Sequence, residues 1–268
     1  MSEKKSLLLV THVHVRQGPN GPQIDDQSAA GLAQWCQHFD SVTYYGIATS
    51  GSSSTAWVDL DKGIIGERAR VIGLPFGYGP FSMVRAYAKV QRTLRREIAA
   101  HRHLCFTLGF MMGDWPLIAA REAIRQKRRF SVKLDRVEGP ILQDRAQTLA
   151  QRAGVKLLIP AAYATLRHVL SKSTVALLQG ADTYDFYASH APDPHCIYNT
   201  HTSVAEQISP IDLAAKQTRV RSGAPLRIVY LGRAAPMKGP FDWLDALHRL
   251  QSQNVPFEAT WLGDGPNL

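Results

Sequence analysis

The chain has 268 residues, an apolar fraction of 45%, a charged fraction of 20% and a formal net charge of +9. It is longer than one ordinary domain of roughly 100–200 residues, so one large or two smaller domains are expected. The balance describes a soluble globular protein with a real core and excludes a membrane span, since no stretch reaches about 20 apolar residues.

The opening "MSEKKSLLLVTHVHV" sets basic residues before an apolar run. "LLLV" is too short for a signal-peptide core, and no small-residue cleavage site follows, so "SLLLVTHVHV" reads as a buried strand. "DDQSAAGLAQWCQHF" predicts a helix opened by Asp25 or Asp26, and "SVTYYGIAT" the next strand. "ARVIGLP" and "HLCFTLG" predict strands that bracket a helix from about Met83 to Ala100. "WPLIAAREAIRQKRR" predicts a helix with Pro116 in its first turn. "FSVKL" reads as a strand, "ILQDRAQTLAQRAG" as a helix ending on Gly154, and "TVALLQG" as a later strand. Strands separated by helices of this length imply right-handed βαβ units and a mainly parallel α/β sheet.

The stretch "QISPIDLAAKQTRVRSGAP", with Pro210 and Pro225, is polar and is the best linker candidate. A fresh α/β pattern follows: strand "LRIVYLG", helix "PFDWLDALHRLQSQ", strand "FEATWLG". One such unit is too small to bury its own faces. The expected division is a Rossmann-like first domain over 1–205, a linker over 206–225 and the start of a second domain over 226–268. The chain shows no internal repeat and no low-complexity tract.

Cys36, Cys105 and Cys196 are odd in number, far apart and in no metal-ligand spacing. They fit a reducing cytosol without a disulfide framework or zinc site. The expected location is cytoplasmic, with peripheral contact to the inner face of a membrane compatible. The charge excess is uneven. From Arg85 to Lys133 there are twelve Lys or Arg against three Asp or Glu. Such a field favours anionic partners (nucleotides, nucleic acid or acidic headgroups), or it is a solvated basic helix surface.

Three loops at strand ends are candidates for chemistry, because open parallel sheets bind ligands there. In "THVHVRQGPNGPQIDDQS", Gly18 and Gly21 permit close backbone approach, and the next helix offers free N–H groups to an anion. The other reading is a long turn stiffened by Pro19 and Pro22. His12 and His14 alternate along the strand, and either is a candidate base or a packed or surface histidine. In "VKLDRVEG", Lys133, Asp135, Arg136 and Glu138 cluster. Asp135 either orients a substrate hydroxyl, pairs with Arg136 or caps the next helix. In "LGRAAPMKGPFDWLDAL", a strand, a loop with Arg233 and Lys238 and a helix aim two cations at one place. That place suits a diphosphate, with the helix N-terminus adding partial positive charge and Asp242 in position to cap or favour the helix. A solvent-exposed charged turn is the alternative.

Strand, "GR", a turn with Pro, "KG", a helix with "LDAL", a strand and "GDGP" together resemble the start of the C-terminal domain of family-four glycosyltransferases, over residues 226 to 266. "GPNGPQIDDQSAAGLAQW" and "HCIYNTHTS" agree more loosely. The resemblance implies the GT-B fold of two Rossmann-like domains and a hexosyltransferase-like enzyme. Such an enzyme moves a sugar from a nucleotide-sugar donor, of UDP or GDP type, to a hydroxyl acceptor with retention. It implies a saccharide or lipid-linked saccharide acceptor in polysaccharide or glycolipid synthesis, no metal, no separate cofactor and no specific nucleic acid. Arg233 and Lys238 would grip the donor diphosphate. Gly18 and Gly21 would sit in the first-domain loop lining the cleft, and residues 263–266 would form a structural turn. Asp135 is the catalytic candidate, matching the acid of the family's His-Asp pair, with Leu134 where the His would stand. The family's Glu-x7-Glu motif is absent, since Glu258 is the only Glu after Glu206. The expectation is a fragment that is inactive alone. The competing expectations are a non-catalytic Rossmann-like module whose basic face binds anionic lipid, nucleic acid or a partner subunit, and a GT-B nucleotide-sugar epimerase.

Overall fold

Strand β1, Ser6–Gly18, is buried on both faces along its first half. Leu8 and Val10 belong to one apolar cluster, Leu7 and Leu9 to the other. A strand covered on both sides reads as a continuous apolar run, which is why "LLLV" lacks alternation. The computed structural model describes residues 5–51, 56–60, 63–110, 113–198 and 207–265. The chain divides into two units, Met1–His201 and Thr202–Leu268.

In the first unit β1 pairs in parallel with β3, Ser41–Ala48, which pairs with β5, Ala69–Leu74. On its other side β1 pairs with β6, His103–Leu108, followed outward by β7, Ser131–Leu134, β8, Val175–Gln179, and β9, Pro194–Ile197, all parallel. The parallel order is therefore β5-β3-β1-β6-β7-β8-β9. The chain builds outward from β1 in one direction, then crosses over and builds outward in the other. Helices α1, Asp26–His38, and α2, Gly63–Arg68, supply Leu32, Cys36, Ile64 and Ile65 to the cluster on one face. On the opposite face, α3, Pro80–Ala100, gives Leu94 and Ile98. There α4, Trp115–Arg125, gives Ala119 and Ala120, and α6, Leu149–Lys172, gives Leu166 and Leu170.

Two expectations are corrected here. No helix ends on Gly154. Instead α5, Glu138–Arg145, stops, and α6 restarts at Thr148 through a capping box. The Thr148 hydroxyl accepts from the Gln151 N–H at 3.2 Å, and the Gln151 side chain accepts from the Thr148 N–H at 3.1 Å. Such reciprocal capping starts a helix strongly enough that Gly154 and Pro160 fall inside it. Nor is the segment after His14 a long turn. β1 runs on to Gly18 and folds back as β2, Gly21–Asp25, with Gly18 opposite Gly21 across a two-residue turn. A third antiparallel strand, β4, Trp57–Asp59, pairs with β2, and the Arg16 guanidinium lies 4.7 Å from the Trp57 ring centre. Helix α7, Gly180–Tyr187, follows β8 and was not expected.

The second unit contains helix α8, Pro210–Arg221, inside the stretch expected to be a linker. Ser209 caps it by accepting from the Asp212 N–H at 3.1 Å. The expected βαβ pattern follows as β10, Leu226–Leu231, α9, Pro240–Ser252, and β11, Phe257–Leu262, with the two strands parallel. Tyr230 and Trp261 stack at 4.1 Å, with Trp243 edge-on to Tyr230. Residues 199–203 of "HCIYNTHTS", together with Glu206 and Pro266, lie outside the described residues.

Candidate functional site

In an open parallel sheet the crevice forms where the build direction reverses, at the carboxyl ends of the strands. Here that point lies between β1 and β6. His12 of β1 and Gly109, just past β6, meet there: a methyl group placed on Gly109 would stand 2.6 Å from His12 Nε2.

His12 reaches this position through an irregularity in β1. Val10 pairs with Tyr45 and His14 with Ile47, so β1 spends four residues where β3 spends two. The extra length pushes the Val13 carbonyl against β3, where Gly46 makes room. A Cβ on Gly46 would lie 2.4 Å from that oxygen. Thr11 satisfies the disrupted ladder, its hydroxyl accepting from the Val13 N–H at 3.2 Å. Bulges of this kind re-aim side chains next to active sites. They also separate the two histidines: His12 is three-quarters buried, His14 exposed.

Asp114 faces His12, with Oδ1 3.5 Å from Nε2. It is the N-cap of α4, accepting from the Leu117 N–H at 3.0 Å and the Gly109 N–H at 2.9 Å, and its side chain is 1% exposed. Burial pushes its carboxyl above the ordinary value. The proximity of His12 and the two backbone N–H bonds act against that rise. On the ring's other side, His12 Nδ1 lies 3.3 Å from the Tyr78 hydroxyl. Burial, then the Asp114 and Glu138 charges, hold the Tyr78 phenol above its usual value, so it stays neutral and able to donate. Trp115 sets this wall by donating to the Pro75 carbonyl at 2.8 Å and packing under Gly77, where a Cβ would clash at 2.7 Å. A carboxylate beside Nε2 favours the tautomer with the proton on that nitrogen. Nδ1 is then left as the acceptor. Nε2 itself makes no hydrogen bond among the described residues, so Asp114 acts on the ring by its charge at 3.5 Å. An imidazole beside a buried carboxylate, with a phenol hydroxyl on its other nitrogen that a substrate hydroxyl can displace, has the components of a general base.

The expected residues are distributed otherwise. Asp135 lies at the end of β7, half exposed, with its carboxylate 3.2 Å from Lys133 Nζ. It neither pairs with Arg136 nor caps α5, whose N-cap is Val137; Arg136 bonds Glu138 at 2.6 Å. Gly18 and Gly21 form the tip of the β1–β2 hairpin. The helix that follows does not hold out free N–H groups there. Asp25 caps it, accepting from the Ser28 N–H at 2.9 Å, and Asp26 adds a second acid to its first turn. Two carboxylates at a helix start repel an anion, so this helix N-terminus does not offer the anion site that its sequence suggested. Asp114 and Tyr78 were not singled out from sequence. The signal present was "GDWP", an Asp directly before a helix with Pro in its first turn.

In the second unit Arg233 lies two residues past the end of β10, and Lys238 closes a one-turn 3-10 segment, Pro236–Lys238. Both are exposed, and neither is held by an ion pair among the described residues. The backbone between them is pinned. The Tyr230 hydroxyl donates to the Lys238 carbonyl at 2.7 Å, and the Ala234 N–H donates to the Asp264 carbonyl at 2.8 Å. Gly263 and Gly265 allow the second contact: both have positive φ, and a Cβ at either would lie 2.2–2.4 Å from a carbonyl oxygen of Gly232 or Ala234. Gly239 turns the chain into α9 at φ 61° without a side-chain cap, and Asp242 sits in the first turn. Among the described residues no His, Cys, Asp and Glu group has the makings of a metal site.

No family model matches the sequence, and no curated protein matches it. Solved structures do. An α,α-trehalose-phosphate synthase (UDP-forming) from Burkholderia xenovorans, in complex with glucose-6-phosphate, is 10% identical with a TM-score of 0.52 over 97% of this chain and 66% of that one. A UGT transferase from Siraitia grosvenorii, in complex with UDP, is 13% identical at a TM-score of 0.47 over 98% of this chain and 66% of that one. A putative UDP-N-acetylglucosamine 2-epimerase from Listeria monocytogenes is 9% identical at 0.41, over 97% of this chain and 62% of that one. The chain thus spans just under two thirds of the length of each of these proteins. The likeness to the synthase shows the fold: α/β of the GT-B type, a Rossmann-like parallel sheet followed by a βαβ unit.

Proposed function

We propose that this chain carries the acceptor side and part of the donor side of a GT-B glycosyltransferase, which transfers a sugar from a nucleotide sugar to an acceptor hydroxyl. The observation that carries the reading is His12 at the sheet's switch point, backed by buried Asp114 with Nδ1 left as acceptor. Glycosyl transfer needs the acceptor oxygen to lose its proton as the bond to the anomeric carbon forms. His12 takes that proton, and Asp114 steadies the resulting imidazolium. The neighbouring proteins support the donor class: the Siraitia protein was solved with UDP, and the Burkholderia synthase is named as UDP-forming.

Arg233 and Lys238 are the proposed grip on the leaving diphosphate. The support is their exposure on a pinned loop, without an ion pair among the described residues, and the resemblance of residues 226–266 to family-four glycosyltransferases. Charge-assisted contacts stabilise negative charge as it develops on a leaving group. Glu258 is the only Glu after Glu206, so the Glu-x7-Glu spacing of that family is absent from these residues, and they are proposed to bind donor without turning it over. Asp135, held by Lys133, serves in this reading as a charge at the rim and not as the base.

Stereochemistry separates two readings. The family-four resemblance implies retention. The His12–Asp114 pair favours a single displacement assisted by a base, which inverts the anomeric centre. An active form assayed with UDP- or GDP-sugar would be read by the product's anomeric configuration in NMR. Inversion with loss of rate in His12→Ala supports the dyad. Retention with an unimpaired His12→Ala variant rejects it. On the chain itself, calorimetric titration with UDP and GDP tests the grip: Arg233→Ala and Lys238→Ala should each weaken binding by about 10- to 100-fold, the loss of one charge-assisted contact. Unchanged affinity in both variants removes the assignment.

A further inference from the structure

The basic stretch of the first unit is arranged as a surface. Its three acids are turned into the fold. Asp114 and Glu122 are each 1% exposed, and Glu97 accepts from the Tyr45 hydroxyl and pairs with Arg70 at 2.8 Å. The cations face outward: Arg85, Lys89, Arg92, Arg95 and Arg96 of α3 are all exposed. At 100° per residue, Phe81, Val84, Arg85, Ala88 and Arg92 fall on one stripe of α3, turned away from the buried Val90, Leu94 and Ile98, with Lys89 and Arg96 flanking it. Arg95 lies on the other flank, with its guanidinium 3.6 Å from Glu122. The stripe is apolar at its N-terminal end, where Phe81 is 90% and Val84 78% exposed, and cationic along the rest. Phe76, 55% exposed and 5.2 Å from the Tyr78 ring, extends the apolar end toward His12. A crevice of about 250 Å³ opens beside it between α3, α4 and α6, with Met83, Tyr87, Leu117 and Ile118 as apolar walls and Arg121 and Arg125 among its lining.

We propose that the outward stripe of α3, together with Phe76, docks on the surface of an anionic phospholipid bilayer. A helix with aromatic and aliphatic residues at one end, and with Arg85, Lys89 and Arg92 on the adjoining surface in no ion pair among the described residues, matches headgroup phosphates with its cations and the headgroup–acyl boundary with its apolar end. Nucleic acid would use the cations but gives Val84 and Phe81, the most exposed apolar residues of the stripe, no role. Residues 75–79 lead from the carboxyl end of β5 into α3. Docking therefore brings the bilayer to the rim that holds Tyr78 and His12. The proposal stands independently of the glycosyl-transfer reading, since it concerns the surface and not the dyad.

The test is co-sedimentation of the whole chain with vesicles of phosphatidylcholine alone and of phosphatidylcholine mixed with phosphatidylglycerol. Binding should require phosphatidylglycerol and weaken as salt is raised. Replacing Arg85, Lys89 and Arg92 together by Ala should reduce the partition coefficient by roughly 100-fold, at about fivefold for each basic residue near an anionic surface. Phe81→Ser with Val84→Ser should lower it further while leaving the salt dependence in place. These side chains are exposed, so the thermal midpoint of every variant should match the parent and separate lost docking from lost fold. Equal binding to both vesicle types, or undiminished binding by the triple variant, overturns the proposal. Salt-sensitive binding of duplex RNA through the same three cations, without vesicle binding, assigns the face to nucleic acid instead.

Discussion

The two units are built from similar strand sequences and are buried very differently. In the first, "SLLLV" puts Leu7, Leu8, Leu9 and Val10 at 4% exposure or less. In the second, "LRIVYL" leaves Val229 at 55% and Leu231 at 75% exposed, and Ala234 and Pro240 are the buried residues among those described there. Apolar composition and strand geometry are shared; what differs is cover. A central strand with helices on both faces loses its water entirely. A two-stranded parallel pair with one helix cannot enclose itself and relies on the stacked Tyr230 and Trp261 with Trp243 edge-on to them. The lesson is that the second unit's candidate loop is held by backbone-to-backbone closure of 232–234 on 263–265, whereas the first unit's His12–Asp114 pair is held by packing and by the N–H groups of Gly109 and Leu117.

That contrast is open to attack by mutation, beginning with the largest effect. Trp115→Ala, which removes a fully buried ring and its bond to Pro75, should destabilise the first unit by about 3–5 kcal/mol. Leu231→Ala in the exposed strand should cost no more than about 0.5 kcal/mol. Urea unfolding of both variants measures the gap, and equal losses would erase the distinction drawn here. Gly46→Ala comes next. Its methyl group meets the Val13 carbonyl and should cost about 1–3 kcal/mol while swinging His12 away from Asp114. The His12 ring signals in NMR should move together with the loss in stability.

Asp114→Asn sharpens the electrostatic side. Burial raises the native carboxyl above the ordinary value of 3.8, so between that value and the raised one the native state binds more protons than the unfolded chain. Stability owed to Asp114 is therefore greatest in acid and falls as pH rises through the native value. The denaturation free energy of the parent minus that of Asp114→Asn should decline from acid toward neutrality. A flat difference would mean that the N–H bonds and His12 cancel burial outright. The smallest effect expected is spectroscopic. The Tyr45 phenol, desolvated and beside Glu97, should titrate at about 12 in the absorbance of its phenolate, and Glu97→Gln should lower that value.

The strand ends, the parallel α/β class and the late βαβ unit were legible in the sequence, because apolar runs and helix starts are local signals. The Arg233–Lys238 loop was legible too, being bounded by Gly232 and Gly239 within a short span. The dyad was not. His12 and Asp114 stand 102 positions apart in the chain. They meet only because the build direction reverses between β1 and β6, and because a bulge housed by Gly46 turns one histidine of two inward. The α6 restart and the β1–β2 hairpin also escaped the sequence reading. In the first case reciprocal capping outweighed Gly154, and in the second antiparallel pairing with β4 drew two Pro-flanked glycines into a ladder. By itself the sequence determined the strands of the parallel sheet, the late βαβ unit and where the positive charge collects. Tertiary structure alone decided which acids are taken out of solvent and which cations stay in it. Desolvation depends on every element packed around a group, and no local pattern carries that information.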